Sequence, residues 1–212
     1  MSFRQEFIEF ALSKNVLRFG EFTTKAGRQS PYFFNVGLFN DGMTLYHLSQ
    51  FYAKTILESG IIFDVLYGPA YKGIPLVVST ALALAKAGHN YPFAFNRKEI
   101  KGHGEGGFVI GAPLQGKVLI IDDVISAGTS VRESVEIISS EGAMPAGVAI
   151  ALDRMERGNG QLSAVQEVER NFSIPVVAVA SLNDLMIYLQ LRPDFKNYAN
   201  AIEKYREEYG VE

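Results

Sequence analysis

Phe3, Phe7, Phe10 and Ala11 recur at helical spacing, so the chain is predicted to open with an amphipathic helix. Residues 17–37 are rich in Phe and Tyr and punctuated by Gly20, Gly27 and Gly37, the texture of short strands and turns. A helix is predicted over 44–59, with Gly60 as its C-terminal cap. From there strands and helices alternate. Apolar runs at 61–67, 91–95, 118–121, 147–152 and 174–180 read as strands. Residues 73–87, closed by Gly88, read as a helix, as do 129–140 and 161–170. The stretch from Leu182 onward is helical in pattern, interrupted at Pro193. Together these elements predict an α/β fold, a central parallel sheet with helices on both faces. Ligands of such sheets gather at the carboxyl ends of the strands, so the loops that follow strands are where chemistry is sought.

Composition narrows the classes. The 212 residues suit one domain, with enough chain to bury a core. There is no cysteine, which excludes disulfides, thiolate metal sites and a thiol nucleophile and fits a reducing compartment. The formal charge of -3 gives no global attraction to nucleic acid or anionic membrane, so anion binding falls to local basic clusters. Acidic Glu6 comes early with no apolar run after it, unlike a signal peptide. The greasiest stretch, 74–85, is broken by Ser79 and Thr80 and is too short to span a bilayer. The expectation is a cytoplasmic protein with no membrane and no nucleic-acid partner.

The run from Lys117 to Ser130 carries the most information. An apolar strand leads into two adjacent carboxylates, Asp122 and Asp123, and then into Val124, Ile125, Ser126, Ala127, Gly128, Thr129 and Ser130, where a helix opens. Such a loop can aim several main-chain N–H groups at one phosphate, with hydroxyls from Ser126, Thr129 and Ser130 in support. A helix dipole contributes only about 0.3–1 kcal/mol. Hydrogen bonds to a charged group contribute about 1.5–3 kcal/mol each, so the loop donors dominate. The carboxylates repel phosphate but suit sugar hydroxyls and positive charge on a sugar ring. Asp-Asp alone would read as two solvated residues; the whole run does not.

Two glycine patterns are decoys. Residues 111–118 resemble a Walker A loop but lack the hydroxyl residue after Lys117 and precede a strand. Residues 102–107 contain GxGxxG, but no helix opens after them. Arg97, Lys98, Lys101 and His103 crowd into seven residues beside those glycines. On its own this segment is equally a solvated loop or a lid over a polyanion.

The run 117–130 resembles the PRPP-binding signature of the type I phosphoribosyltransferases (PRPP is 5-phosphoribosyl-1-diphosphate). The resemblance implies that fold, with a hood built from about residues 1–40 and a mobile lid at 97–107. It implies that Asp122 and Asp123 hold the ribose hydroxyls and Val124 to Ser130 the 5′-phosphate. Residues 67–75 resemble the family's diphosphate loop, which can adopt a non-proline cis peptide. Residues 24–35 are similar to the N-terminal motif of members that act on orotate. By position, Lys25, Tyr71, Lys72, Arg97, Lys98, Lys101 and His103 would meet PRPP; Phe33, Phe34, Ser126 and Arg154 would meet orotate. Ser126 stands where the family pattern has threonine, and keeps the hydroxyl. The catalytic set is Lys101, Asp122 and Asp123. Magnesium would be held mainly by PRPP, and members are homodimers in which Arg97 and Lys101 reach the neighbouring site. A purine-type transferase shares the PRPP loop, and a PRPP-sensing regulator that binds nucleic acid shares the fold. Phe33, Phe34 and Arg154 favour orotate over the first. The acidic balance and the lid cations weigh against the second.

Overall fold

The computed structural model describes residues 2–24, 27–101, 107–158 and 160–211. Helix α1 (Phe3–Ser13) opens on a capping box. The Ser2 hydroxyl accepts the Gln5 N–H, and the Gln5 side chain accepts the Ser2 N–H. Strands β1 (Leu17–Thr23) and β2 (Gln29–Phe34) then form a separate antiparallel hairpin. Helix α2 (Gly42–Ser59) is capped by Asp41 at one end and by left-handed Gly60 at the other, as predicted.

The main sheet follows: β3 (Val65–Gly68), α3 (Gly73–Lys86), β4 (Phe93–Lys101), β5 (Gly107–Gly111), β6 (Lys117–Ile121), α4 (Thr129–Ser140), β7 (Met144–Asp153), α5 (Ala164–Phe172), β8 (Val176–Ser181), α6 (Leu182–Gln190) and α7 (Lys196–Tyr209). The strand order is β5-β4-β3-β6-β7-β8. Five strands are parallel, as expected, but β5 pairs antiparallel with β4. This edge strand was not foreseen, because five residues bounded by glycines read as part of a loop. Strand β4 also runs on through the charged residues 97–101, where the pattern ends a strand at Phe95. Lys117 opens β6, so the Walker-like run precedes a strand and is no phosphate loop. Most of the GxGxxG run lies outside the described residues.

Period-two alternation divides the core. On β6, Leu119 and Ile121 join the cluster packed by α1, α2, α3, α6 and α7, while Val118 and Ile120 face α4 and α5. The chain leaves β3 outward to β4 and β5, then returns to lay β6 on the other side of β3. That reversal makes the β3–β6 seam a topological switch point, where the loops after the two strands part and leave a crevice. Helix α7 returns to the N-terminal hairpin: Tyr198 stacks on Phe19 at 4.8 Å, and Tyr205 meets Tyr32 edge-on.

Leu119 is fully buried at the middle of β6. Leu119→Ala should cost about 2–5 kcal/mol of stability, measured by urea unfolding. A loss well under about 1 kcal/mol would contradict a close-packed two-sided sheet.

Candidate active site

The loop after β6 starts at the switch point. Asp122 and Asp123 are 6% and 8% exposed. Two like charges placed so deep need compensation. The Asp122 carboxylate accepts the Ser130 hydroxyl at 2.8 Å and the Asp123 N–H at 2.8 Å. The Asp123 carboxylate accepts the Val124 N–H at 2.8 Å and the Lys72 ammonium at 2.6 Å. Beneath them the Tyr52 hydroxyl donates to the Asp122 carbonyl at 2.7 Å, which ties α2 to the turn. Burial, then the Asp123 charge, push the Asp122 carboxyl up to about 6, against the opposing pull of Ser130, the Asp123 N–H and Lys72.

After Asp123 the chain rises past Ser126 and Ala127, both exposed, to Gly128 at φ 69, and α4 begins. Only glycine takes that conformation without a steric cost. No side chain caps α4, so its first N–H groups carry no side-chain acceptor. That arrangement can receive an anion.

The loop after β3 faces this one across the seam. Its Ala70–Tyr71 peptide is cis. The Ala70 N–H donates to the Asn96 side-chain oxygen at 2.8 Å, and the Asn96 amide donates to the Arg97 carbonyl at 3.1 Å. Asn96 thus ties the loop to the strand that carries Arg97 and Lys98. Sequence reasoning missed it; the signal was a polar residue ending the apolar run Phe93-Ala94-Phe95. A β-carbon on Gly68 or Gly73 would meet backbone at 2.2 Å or 2.8 Å, so both glycines permit the close turn onto α3. Tyr71 is exposed, and the Lys98 ammonium sits over its ring at 5.1 Å.

The third part lies beyond β7, the neighbour of β6. The Arg154 guanidinium is bound to Glu156 and to the Ser30 hydroxyl at 3.1 Å, and lies 4.3 Å from the Tyr32 ring centre. Ser30 and Tyr32 are on β2, so the hairpin closes over the end of β7. Phe34 shares their face and packs on Phe7, while Phe33 faces the other way and stacks with Phe22. Adjacent residues of a strand face opposite ways, and the two rings do so here. A cleft of about 810 Å³ lies between β2 and α7 and shares Ser30 and Tyr205 with this region, but none of Lys72, Asp122 or Asp123 lines it.

The structure thus brings Lys72, Asp122, Asp123 and Ser130 into one bonded cluster, with Tyr71 on the loop alongside and Lys98 reaching it from β4. Arg154 stands at the end of the next strand. Lys25 and His103 lie outside the described residues, as does the side chain of Lys101.

A doubly bonded acidic turn, an uncapped helix start and a loop that carries Lys72 thus meet across the seam. The chain belongs to the phosphoribosyltransferase family: the phosphoribosyl transferase domain matches residues 37–178. Over its whole length it is similar to enzymes named orotate phosphoribosyltransferase. Those of Neisseria meningitidis serogroup B and Laribacter hongkongensis are 65% and 66% identical to it, over 99% of this chain and 99% and 98% of theirs. The crystal structure of orotate phosphoribosyltransferase from Francisella tularensis superposes with a TM-score of 0.89 at 43% identity, over 97% of this chain and 100% of that one. Adenine phosphoribosyltransferase from Thermoanaerobacter pseudethanolicus, at 12% identity and a TM-score of 0.53, shares the fold.

The raised carboxyl of Asp122 has a signed consequence. Its folded value of about 6 lies above the ordinary 3.8. The folded state holds the proton longer, so this group's contribution to stability is full below pH 3.8 and is lost as pH rises through about 6. Asp122→Asn should therefore flatten the fall in melting temperature between pH 3.8 and about 6. A variant curve parallel to the parent's would contradict the assignment.

Proposed function

We propose that this protein transfers the phosphoribosyl group of PRPP to orotate, giving orotidine 5′-monophosphate and diphosphate, the transfer used in pyrimidine (UMP) synthesis. One observation carries this reading: the buried acidic turn follows β6, and Arg154 follows β7, the adjacent parallel strand, so both leave the same edge of the sheet. The first suits a ribose phosphate. The second suits a flat base that bears a carboxylate, since a guanidinium binds carboxylate through paired N–H groups. The names of the full-length relatives support the same substrate pair.

In this reading the loop from Val124 to Ser130 holds the 5′-phosphate, and Asp122 and Asp123 take the ribose hydroxyls. Lys25, Tyr71, Lys72, Arg97, Lys98, Lys101 and His103 also meet PRPP, with Lys72, Lys98 and the lid cations at its diphosphate. Phe33, Phe34, Ser126 and Arg154 hold orotate. The C1–oxygen bond breaks with its electron pair leaving on diphosphate, and an orotate ring nitrogen supplies the pair for the new bond from the opposite face. The proton that nitrogen loses passes to solvent or to the released diphosphate. Asp122 and Asp123 offset the positive charge that builds on the ring. Lys72 is already placed at Asp123 and can exchange that carboxylate for a phosphate oxygen, while Lys101 meets the leaving oxygens. The 97–107 segment is assigned as the lid on its sequence, and closure would exclude the water that hydrolyses PRPP.

Magnesium is the ion this reading calls for. Asp122 and Asp123 are oxygen donors of the kind it takes. Among the described residues no group of three or more His, Asp or Glu could hold a metal, so substrate oxygens would supply most of its shell. Bound there, it adds positive charge beside the leaving diphosphate. The reading includes a homodimer in which Arg97 and Lys101 act in the neighbouring site, and a cytoplasmic location. No helix among the described residues is long and apolar enough to cross a membrane.

An absorbance assay with PRPP and magnesium tests the assignment. Orotate should be consumed, and uracil and hypoxanthine should not, because uracil leaves Arg154 without its partner. Turnover of hypoxanthine in place of orotate would move the protein to a purine-type activity. Lys101→Ala should lower kcat about 100-fold with a much smaller change in the KM for PRPP. Unchanged kcat would remove Lys101 from the chemistry.

A further inference from the structure

We propose that Glu156, backed by Tyr32 and Tyr205, is a positioning residue that sets the base specificity of the site by holding the Arg154 guanidinium ready for a carboxylate. The inference rests on the reading that Arg154 receives the carboxylate of orotate.

The geometry is that of a clamp. One oxygen of Glu156 accepts hydrogen bonds from Arg154 Nε at 2.9 Å and from the Tyr32 hydroxyl at 3.2 Å, and lies 2.6 Å from Arg154 Nη2 as an ion pair. Arg154 Nη2 also reaches the Ser30 hydroxyl. The Arg154 and Glu156 side chains are 20% and 15% exposed, so the pair is largely out of water. The Tyr205 hydroxyl is buried beside both charged groups, without hydrogen-bond geometry to either. The backbone is fixed as well. Met155, between the pair, is left-handed at φ 51, and its N–H is held by the Asp153 carboxylate at 2.8 Å. On its other side the Met155 carbonyl accepts the Val211 N–H, and Glu156 bridges to Gly210.

Chemistry says what the clamp does. A guanidinium has five N–H donors in a fixed plane. The bonds to Glu156 and Ser30 engage Nε and Nη2; the two N–H groups of Nη1 are not among them. A long side chain fixed in advance loses less freedom when the ligand arrives. Glu156 also cancels part of the arginine's charge. Fixing and neutralising have opposite effects on an anionic ligand. The two hydrogen bonds and the ion pair that converge on one oxygen, with the flanking ring, favour fixing.

Arg154 and Glu156 lie inside the matched domain, but the residues that back them lie outside it. Ser30 and Tyr32 precede residue 37, and Tyr205 follows residue 178. A part that tunes the base would sit there, apart from the shared PRPP loops.

Steady-state kinetics on the full chain test the proposal, with Arg154→Ala measured alongside. Glu156→Ala should raise the KM for orotate about tenfold and leave that for PRPP within about twofold. Glu156→Gln should recover part of the loss, because an amide oxygen still accepts from Nε. Tyr32→Phe keeps the ring and removes a single hydroxyl; it should raise the KM for orotate about threefold, and it decides the matter if Glu156→Ala does not fold. An unchanged or lowered KM for orotate in these variants, or an equal rise for both substrates, overturns the positioning role. If Arg154→Ala itself leaves the KM for orotate unchanged, the assignment of Arg154 to orotate fails instead.

Discussion

Two adjacent carboxylates held almost out of water are the constraint around which this molecule is organised. Asp122 and Asp123 would repel each other and lose their hydration if the surrounding chain did not answer each oxygen. Most answers are local, a hydroxyl at the start of α4 and main-chain N–H groups of the turn itself, and one comes from far off in sequence, the Lys72 ammonium of the loop after β3. The ion pair of Lys72 with Asp123 joins the two loops at the switch point of the sheet. A hydroxyl that donates to one of these carboxylate oxygens can stand in for an internal donor, and an anion that reaches Lys72 competes with Asp123 for it.

The same sheet explains the division of labour. The loops after β3 and β6 lie within the matched domain, residues 37–178, and carry the groups suited to a ribose, its phosphate and a diphosphate. Arg154 is also inside that span, but most of what surrounds it is not. The hairpin β1–β2 and helix α7 come from the two ends of the described chain and meet over the end of β7. A common sugar-phosphate platform with separate covering elements lets one fold accept different bases.

Much of this was legible in the sequence. Helix 129–140 coincides with α4, and the strand, the acidic pair and the helix that make the turn are contiguous, so local pattern suffices there. Gly60 was readable as a cap because only a left-handed residue ends α2. Strand β5 was not, since glycines bound a run too short to declare its period, and its partner β4 carries charges that read as loop. Asn96 was also missed as a partner, as was the backing of Glu156 by Tyr32 and Tyr205. Nothing near Asn96 in sequence shows that it will meet Ala70, and nothing near Arg154 shows that Tyr32 and Tyr205 will converge on its partner. Those contacts are made by the tertiary fold, not by spacing.

The most direct measurement is a crystal structure of the chain soaked with ribose 5-phosphate. The phosphorus should lie in the cup formed by residues 124 to 130, with the sugar hydroxyls on Asp122 and Asp123 and the Lys72 ammonium displaced from its carboxylate. A phosphate bound at any other place, with the acidic pair and Lys72 still joined, would contradict the reading of this turn as the sugar-phosphate site.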